Sequence, residues 1–306
     1  MKYLDPTFDT GFKLLFGREN VSEELLIPFL NSIFENDTDP FFKDIVSLKY
    51  LNNEHPHERA HGKSIRYDIL CETSSGHRFI VEMQKSWQKN FIARSVYYVS
   101  RSIAEQGYRG HEERDSDWKY ELTPVVGVFL CNFEHSDLPP RAVTIAGIVD
   151  YKTGEHIGDY TRYVYIQLPF FSKEEADCTT SFDQWIYNIK NMGPMQNVAF
   201  TRQNAVFQRL ANVGNVASLS ESERRLYEAD LKFARDHHAH ISDAHEKGIE
   251  EGIQQGLQQG MKEGIKQVAI KLLHMNQPVQ LVAMATGLPA ETVEELKATL
   301  DSEASR

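Results

Sequence analysis

The chain has 306 residues, 41% hydrophobic and 25% charged, which is typical of a folded globular protein rather than a disordered one. No run of about 20 apolar residues predicts a membrane helix, and the N-terminal sequence lacks the basic and apolar pattern of an export signal. Three cysteines without paired spacing exclude a disulfide scaffold and a cysteine-based zinc site. We therefore expect a cytoplasmic protein that makes no membrane contact.

The charge argues against a broad basic surface, because the formal net charge is −11 and nucleic-acid binding gains affinity by neutralising phosphates. The distribution is uneven. Residues 1–110 carry 14 Lys and Arg against 15 Asp and Glu, and the rest carries 19 against 29. Contacts with phosphates are therefore expected in the first third. Two histidine groups lack the acidic partner of a zinc protease motif and are interpreted as solvent-exposed: His55, His57, His61 and His237, His238, His240.

Two helices are predicted at the start. The first carries apolar residues at helical spacing and ends at Gly17. The second begins near Ser22, which can cap it ahead of two glutamates, and Pro28 should kink it. The residues predicted to be buried in this pair of helices are Phe8, Phe12, Leu15, Phe16, Leu25, Leu26, Phe29, Leu30 and Ile33.

The middle of the chain alternates strands with one long helix. The helix is predicted from about 88 to 106, with an apolar stripe of Ile92, Val96, Val99 and Ile103, and Gly107 ends it. This order of elements predicts an α/β core of about 170 residues, with a mixed sheet flanked by helices. The predicted strands lie at about 44–51, 65–73, 77–85, 123–132, 141–151 and 160–168.

From Ser172 onward the pattern is helical. A glycine recurs every fourth residue from Gly248 to Gly264, and an apolar residue follows each one. Interior glycines cost about 1 kcal/mol each relative to alanine, so this helix should pack closely against a partner. Three short helices are predicted after it, at 268–274, 278–285 and 290–300. They resemble a helix-turn-helix unit, although acidic residues on the last one favour an assembly role.

A hairpin carries the candidate chemistry. Residues 64–73 and 77–84 predict two strands joined by Ser74-Ser75-Gly76, a three-residue loop with glycine where φ is positive. Only a register that pairs Thr73 with His77 separates apolar from charged side chains. One face is then Cys71/Phe79, Ile69/Val81 and Tyr67/Met83, and the other is Glu72/Arg78, Leu70/Ile80, Asp68/Glu82 and Arg66/Gln84.

This register places Asp68 directly opposite Glu82, with Cβ atoms about 4.5–5.5 Å apart. Two like charges at that distance destabilise the hairpin unless something neutralises them. A divalent cation is one solution, because carboxylate oxygens suit Mg²⁺ or Mn²⁺. The alternative is that one carboxyl is protonated, or that each pairs with a base such as Arg66 or Lys63. Spacing alone does not separate the two.

Several segments in this order resemble a known family. An Asp at a strand end, a hairpin and then Glu-x-Gln resembles the PD-(D/E)XK nuclease superfamily, and the wider pattern resembles its recombination-promoting nuclease/putative transposase family. The resemblance covers nearly the whole chain except about 110–240. Its segments are DPTFDTGFKLLFG at 5–17, Phe29-Leu30-Asn31, Asp68-Ile69-Leu70, Val81-Glu82-Met83-Gln84, Arg94 to Tyr98, and the glycine-rich tail with Thr286-Gly287-Leu288.

The resemblance implies a restriction-endonuclease-like fold and a metal-dependent DNA endonuclease. Asp68 and Glu82 would hold one or two Mg²⁺ (or Mn²⁺) ions, and Gln84 stands where the superfamily commonly has lysine. A neutral amide can position water but cannot neutralise charge, so either Gln84 suffices or a cation substitutes for lysine. Lys63, Lys13 and Lys85 are the candidates, and strand alternation directs Lys85 to the face opposite Glu82.

The helix after the hairpin supplies a candidate DNA-binding face. Arg94, Tyr98 and Arg101 recur at i, i+4 and i+7, with Tyr97 adjacent, and guanidinium and phenol groups suit a phosphate backbone. A solvated helix face is the competing interpretation. An early acid could add a metal ligand, as in many superfamily members: Glu23, Glu24 or Asp9.

Together these patterns predict three regions: a nuclease core at 1–170, a helical region at 171–245, and an assembly tail at 246–306 that favours a homo-oligomer. The predicted function is Mg²⁺-dependent cleavage of DNA in recombination or transposition of mobile DNA. The alternative is a non-catalytic DNA-associated or assembly protein that retains the nuclease fold, which the missing lysine and the acidic charge favour. RNA is a third possible substrate, because nothing in the hairpin recognises a 2′-hydroxyl and so distinguishes RNA from DNA.

Overall fold

The computed structural model of the chain describes residues 2–35, 45–52, 54–55, 65–113 and 121–304, which form two compact units, Met1–Lys232 and Phe233–Arg306. The described helices are α1 (Asp9–Phe16), α2 (Glu19–Ile33), α3 (Phe91–Glu113), α4 (Ser181–Met195), α5 (Ala205–Val213), α6 (Glu221–His274), α7 (Val279–Thr286) and α8 (Ala290–Ala304). The described strands are β1 (Leu48–Tyr50), β2 (Glu54–His55), β3 (Ile65–Arg66), β4 (Ile69–Thr73), β5 (Arg78–Gln84), β6 (Val125–Cys131), β7 (Val143–Gly147) and β8 (Thr161–Gln167).

Six strands of the first unit form a mixed sheet in the order β1-β4-β5-β6-β8-β7. The central strands β5, β6 and β8 run parallel, and the flanking pairs are antiparallel. Strands β2 and β3 form a separate short ribbon. The prediction of an α/β mixed sheet flanked by helices and followed by a helical C-terminal region is confirmed, and each predicted strand run contains at least one observed strand.

The two faces of the sheet bury different clusters. On one face, helices α1, α2, α4 and α5 cover apolar residues of β4, β5, β6 and β8, with Trp185 at the centre against the rings of Phe16, Phe29 and Phe207. On the other face α3 covers the alternate residues of the same strands, including Phe129. Side-chain alternation on strands buried on both faces explains their near-continuous apolar sequences.

The hairpin has the predicted register over most of its length. Ile69 pairs with Val81, and the ladder continues to Glu72 opposite Arg78. The Thr73 N–H donates to the His77 carbonyl at 2.9 Å. Gly76 has a φ of 82°, a backbone conformation that residues other than glycine rarely adopt. The three-residue loop inferred from side-chain alternation is therefore confirmed.

The register fails at the open end of the hairpin. A bend at Tyr67 and Asp68 separates β3 from β4, and β3 pairs Arg66 with Glu54 rather than with Gln84. The predicted placement of Tyr67 beside Met83 is wrong, because Tyr67 packs in the cluster under α3 whereas Met83 packs in the cluster under α1 and α2. The bend interrupts the two-residue alternation, so side chains before it change face.

Helices α2 and α4 begin at residues other than the predicted ones. Arg18 is extended, and its N–H donates to the Ser22 hydroxyl at 3.0 Å, so Ser22 lies inside a helix that begins at Glu19. The predicted start of α4 at Ser172 is also wrong. Thr180 and Asp183 form a reciprocal capping box that fixes the start at Ser181, after two short 3-10 turns.

Helix α3 extends beyond its predicted end at Gly107 to Glu113. The side chain of Gln106 bonds both the N–H and the carbonyl of Thr123, which ties this part of the helix to the chain entering β6. The predicted apolar stripe is also partly wrong, because Val96 is 43% exposed. Val99 is buried as predicted, and the buried face of α3 also includes Phe91, Ser95 and Ser102, which the prediction left out.

In the second unit α6 continues to His274 without a break, so the separate helix predicted at 268–274 does not exist. The next two predicted helices correspond to α7 and α8, and α7 ends at Gly287, which has a positive φ. Ala269, Leu273, Val282 and Val293 form a small core among α6, α7 and α8. No helix in the described part of the chain is long and apolar enough to cross a membrane.

Candidate active site

Asp68 and Glu82 meet at the end of the hairpin where the β4–β5 ladder stops. The Asp68 N–H donates to Glu82 Oε1 at 3.0 Å, and the Met83 N–H donates to Asp68 Oδ2 at 3.0 Å. Each carboxylate thus accepts a backbone hydrogen bond from the segment that carries the other: Glu82 from the bend before β4, and Asp68 from β5.

Burial makes the ionised form of both acids unfavourable. Glu82 is 3% exposed, and burial together with the nearby Asp68 carboxylate raises its pKa to about 8. Burial also raises the pKa of Asp68 to about 6, although the ammonium of Lys13 opposes the rise. Two carboxyl groups with raised pKa values in one place are a recognised feature of functional sites.

Lys13, on α1, contacts the Asp68 member of this pair. Its Nζ lies 3.0 Å from Asp68 Oδ1 and 2.8 Å from Asp9 Oδ1. Burial alone would lower the pKa of Lys13, but the carboxylates of Asp68 and Asp9 outweigh that effect and raise it. Of the candidate lysines Lys13 and Lys85, the structure places Lys13 against Asp68.

A hydrogen-bond chain runs from the acids to α3. Gln84 Nε2 donates to Glu82 Oε2 at 3.3 Å, Gln88 Nε2 reaches Gln84 Oε1 at 3.5 Å, and Arg94 Nη1 donates to Gln88 Oε1 at 2.7 Å. The Arg94 guanidinium lies 5.6 Å from the centre of the Tyr98 ring. This series of side-chain contacts therefore joins Glu82, Gln84 and the DNA-binding candidates Arg94 and Tyr98 in one connected site.

Other candidate residues lie elsewhere. Arg101 forms an ion pair with Glu105 at 3.3 Å, and Tyr97 is 47% exposed on α3. The ammonium of Lys85 lies 2.7 Å from the centre of the Phe8 ring, away from the acids as strand alternation predicted. Lys63 lies outside the described residues, and so do His57 and His61.

Of the three early acids, the structure brings only Asp9 to the site. Glu23 accepts the Leu48 N–H at 3.0 Å, and Glu24 forms an ion pair with Arg209. Sequence reasoning overlooked Gln88. Its position four residues after Gln84, in the loop before α3, gave no signal, because only the turn of the chain into α3 brings the two amides together.

One comparison with known proteins gives a match. A sequence model described as "PD-(D/E)XK nuclease family transposase" matches residues 6–244, which is most of the chain and includes every residue of the site. The chain belongs to this family. The restriction-endonuclease-like fold is therefore shown, and membership indicates a nuclease or transposase type of function. The comparisons with curated proteins and with solved structures found no match.

PD-(D/E)XK nucleases generally use divalent metal ions, and the carboxylates of this site are the groups that could hold one. No group of three or more His, Cys, Asp or Glu side chains within the described ranges is arranged to hold a metal ion. Magnesium does not require one, because it usually takes one or two carboxylates and completes its octahedron with water and phosphate oxygens. The buried pair Asp68 and Glu82 fits that requirement, since a cation would offset two charges that burial disfavours.

The raised pKa of Glu82 predicts a pH-dependent stability. An acid whose folded-state pKa exceeds its unfolded value binds its proton more tightly when folded, so the free energy of unfolding falls as pH rises between the two values. In metal-free buffer we expect this fall between about pH 4.5 and 8. Glu82→Gln should remove most of it and be more stable than the wild type at pH 8.5 by on the order of 1–3 kcal/mol.

Urea unfolding at pH 5 and pH 8.5 checks this expectation. Glu155→Gln, an exposed substitution of the same kind, should leave both stabilities unchanged. A wild type that is as stable at pH 8.5 as at pH 5, with no gain from Glu82→Gln, would show that the carboxyl is not desolvated.

Proposed function

We propose that this chain is a Mg²⁺-dependent (or Mn²⁺-dependent) endonuclease that hydrolyses DNA phosphodiester bonds in the recombination or transposition of mobile DNA. The observation that carries the proposal is the buried pair Asp68 and Glu82, joined through backbone hydrogen bonds and contacted by Lys13. A structural ion pair needs one acid and one base, whereas this site buries two acids whose charges burial disfavours.

Each side chain has a role that its contacts support. Asp68 and Glu82 would hold the divalent ion, which when bound would activate a water molecule and stabilise charge on the scissile phosphate. Lys13 supplies the positive charge that Gln84 cannot, and it stands near the developing negative charge. Gln84 is held by Glu82 and Gln88, so its amide is oriented and can position water.

The DNA backbone would lie along the start of α3. Arg94 is partly buried on this helix, and its guanidinium is held by Gln88 while Tyr98 lies beside it. A fixed guanidinium recognises a phosphate through paired hydrogen bonds. Tyr97 would add an exposed phenol. Arg101, which is paired with Glu105, would add positive charge at longer range.

Incubation of the purified chain with supercoiled plasmid tests the proposal. Nicking that requires Mg²⁺ or Mn²⁺ and stops with chelator is the expected result. The absence of nicking with either metal would favour a non-catalytic DNA-associated protein, which the missing lysine at position 84 also suggests. Labelled RNA and DNA oligomers of one sequence identify the substrate, and cleavage of RNA alone would reject DNA.

We further propose that α6 pairs with a second copy of the chain. Apart from the backbone of α6 itself, no atom of the described residues lies within 4 Å of a Cβ placed on the glycines at 248, 252, 256, 260 and 264. The apolar row that follows them is also uncovered, with Ile249, Ile253, Leu257 and Met261 each at least half exposed. Close contact with another helix would offset the cost of five interior glycines.

The charges beside the apolar row indicate an antiparallel pair. A four-residue row from position 246 to 266 reads Glu246, Glu250, Gln254, Gln258, Lys262, Lys266. At 3.6 residues per turn this row and the glycine row lie about a quarter-turn to either side of the apolar row. In a symmetric antiparallel pair, each row of one helix contacts the same row of the other helix, which runs in the opposite direction. Glutamates then face lysines, and the middle glutamines face each other.

Charge reversal tests the assembly. Replacing Lys262 and Lys266 by Glu should weaken self-association by roughly tenfold or more, because four favourable contacts become repulsive. Adding Glu246→Lys and Glu250→Lys should restore it, since the quadruple variant has the charge pattern reversed and the net charge unchanged. Light scattering over a concentration series gives the mass. A monomeric wild type, or a double variant that assembles normally, would reject this interface.

A further inference from the structure

A group of aromatic rings lies beside the candidate active site, at the ends of the parallel strands β5 and β6. Trp87 follows β5, Phe133 and His135 follow β6, and Phe91 begins α3. The register pairs Gln84 with Cys131, so both loops leave the sheet at the same edge. Phe91 and His135 are buried, whereas Trp87 is 54% exposed. An exposed indole among buried rings at this edge is a candidate contact for a ligand.

One face of Trp87 rests on a fixed support. Its ring stacks on His135 with centroids 6.3 Å apart and an interplanar angle of 26°. The backbone N–H of His135 donates to Gln167 Oε1 at 2.9 Å, and its ring Nδ1 accepts the backbone N–H of Asp137 at 3.2 Å. Phe91 packs against the same imidazole at 5.9 Å. His135 thus supports one face of the indole, while about half of the Trp87 side chain stays exposed.

His135 is also an unusual residue to bury there. Its Nδ1 accepts the Asp137 N–H, and its buried Nε2 has no hydrogen-bond partner among the described residues. A buried polar nitrogen without a partner costs free energy that an apolar ring in the same place would not. A polar aromatic ring at this position therefore calls for an explanation beyond packing of the core.

Trp87 lies close enough to the acids to contact the same nucleic-acid strand. It follows Gln84 by three residues, which span at most about 10 Å. Arg94, which is linked to Gln84 through Gln88, lies 5.9 Å from the Phe91 ring on the same loop and helix start. A strand whose phosphate meets Asp68 and Glu82 would thus present a neighbouring nucleotide to the indole.

An open indole face favours one kind of ligand. Every nucleobase has a flat π-face that stacks on an aromatic side chain, but in a duplex those faces are covered by the neighbouring base pairs. We infer that Trp87, supported by His135, stacks on an unpaired nucleobase adjacent to the scissile phosphate. The chain therefore prefers nucleic acid that is single-stranded or distorted at the site of cleavage. This inference rests on the proposed nuclease function.

Binding without cleavage tests the inference. The full chain is titrated in chelator with labelled DNA of one sequence as a single strand, as a duplex, and as a duplex with one unpaired base. Trp87→Ala should weaken single-strand binding by roughly 5- to 100-fold and leave duplex binding nearly unchanged. Trp87→Phe, which keeps a stacking ring, should retain most of the affinity. Single-stranded DNA should quench part of the tryptophan fluorescence of the wild type. That part should be missing from the fluorescence of Trp87→Phe.

Tyr151→Ala is the matched control, because Tyr151 is a fully exposed aromatic residue in the loop after β7. It should change none of these affinities. Single-strand binding by Trp87→Ala at the wild-type level overturns the inference, even if the chain cuts plasmid as proposed. Trp87-dependent binding of single strands by a chain that cuts nothing would reject the nuclease function and retain the stacking contact.

Discussion

Replacing Asp68 by Asn or Glu82 by Gln is expected to lower Mg²⁺-dependent nicking of plasmid DNA by about 10³-fold or more. Each change removes one of two negative charges that would hold the cation, and metal-assisted charge stabilisation contributes several kcal/mol to hydrolysis. The amides have nearly the size of the acids and keep an oxygen that can accept the Met83 or Asp68 N–H. The change therefore tests charge rather than shape.

Measuring the stability of each variant distinguishes a variant that has lost catalysis from one that has lost its fold. Glu82→Gln should be inactive yet more stable than the wild type at pH 8.5, a combination that unfolding cannot produce. Glu72→Gln is the matched control, because Glu72 lies on the same hairpin and pairs with Arg78 at 3.0 Å, away from the site. Nicking within tenfold of wild type by either amide variant would show that the carboxylates do not hold the catalytic ion.

Replacing Lys13 by Met is expected to reduce the rate of nicking by on the order of 10²-fold. Its ammonium is the cation in contact with Asp68, and removing a preorganised positive group near a developing anion has an effect of this size. Lys13 also lowers the pKa of Asp68, so the acidic limb of the pH–rate profile should move to higher pH in the variant. Lys13→Arg keeps the charge and should recover part of the rate.

Lys85→Met distinguishes this role from a general loss of positive charge. Lys85 is adjacent to Gln84 in sequence, but its ammonium lies over the Phe8 ring. Its removal should leave the rate and the pH profile nearly unchanged. Equal losses from Lys13→Met and Lys85→Met, with no shift in the pH profile, would mean that neither lysine takes the place of the family's usual one.

Local rules predicted the hairpin correctly. The alternation of apolar and charged residues over 69–72 and 78–81 is consistent with only one register, and Gly76 supplies the conformation that its loop requires. That register also predicted that Asp68 and Glu82 lie close together, although the observed ladder ends at Ile69 and Val81, and backbone hydrogen bonds link the two acids instead. The same logic failed at Tyr67, because a bend resets the alternation and no residue there signals it. Periodicity is a property of uninterrupted strands and gives no information where a strand ends.

Contacts between distant segments were less predictable. Lys13 and Lys85 were both candidates from sequence, and only the packing of α1 against the sheet shows which one reaches Asp68. The start of α4 depends on a capping box that competes with an equally plausible serine upstream. The stacking of Trp87 on His135 joins two loops that are far apart in sequence, and parallel pairing of β5 and β6 brings them together.

The central claim is that Asp68 and Glu82 share a divalent cation. Anomalous diffraction from a crystal of the chain soaked in Mn²⁺ measures this most directly. We expect one strong peak about 2.1 Å from a carboxylate oxygen of each residue, and no peak there in Asp68→Asn. Manganese bound only elsewhere, with the Lys13 ammonium still in contact with Asp68, would contradict the account.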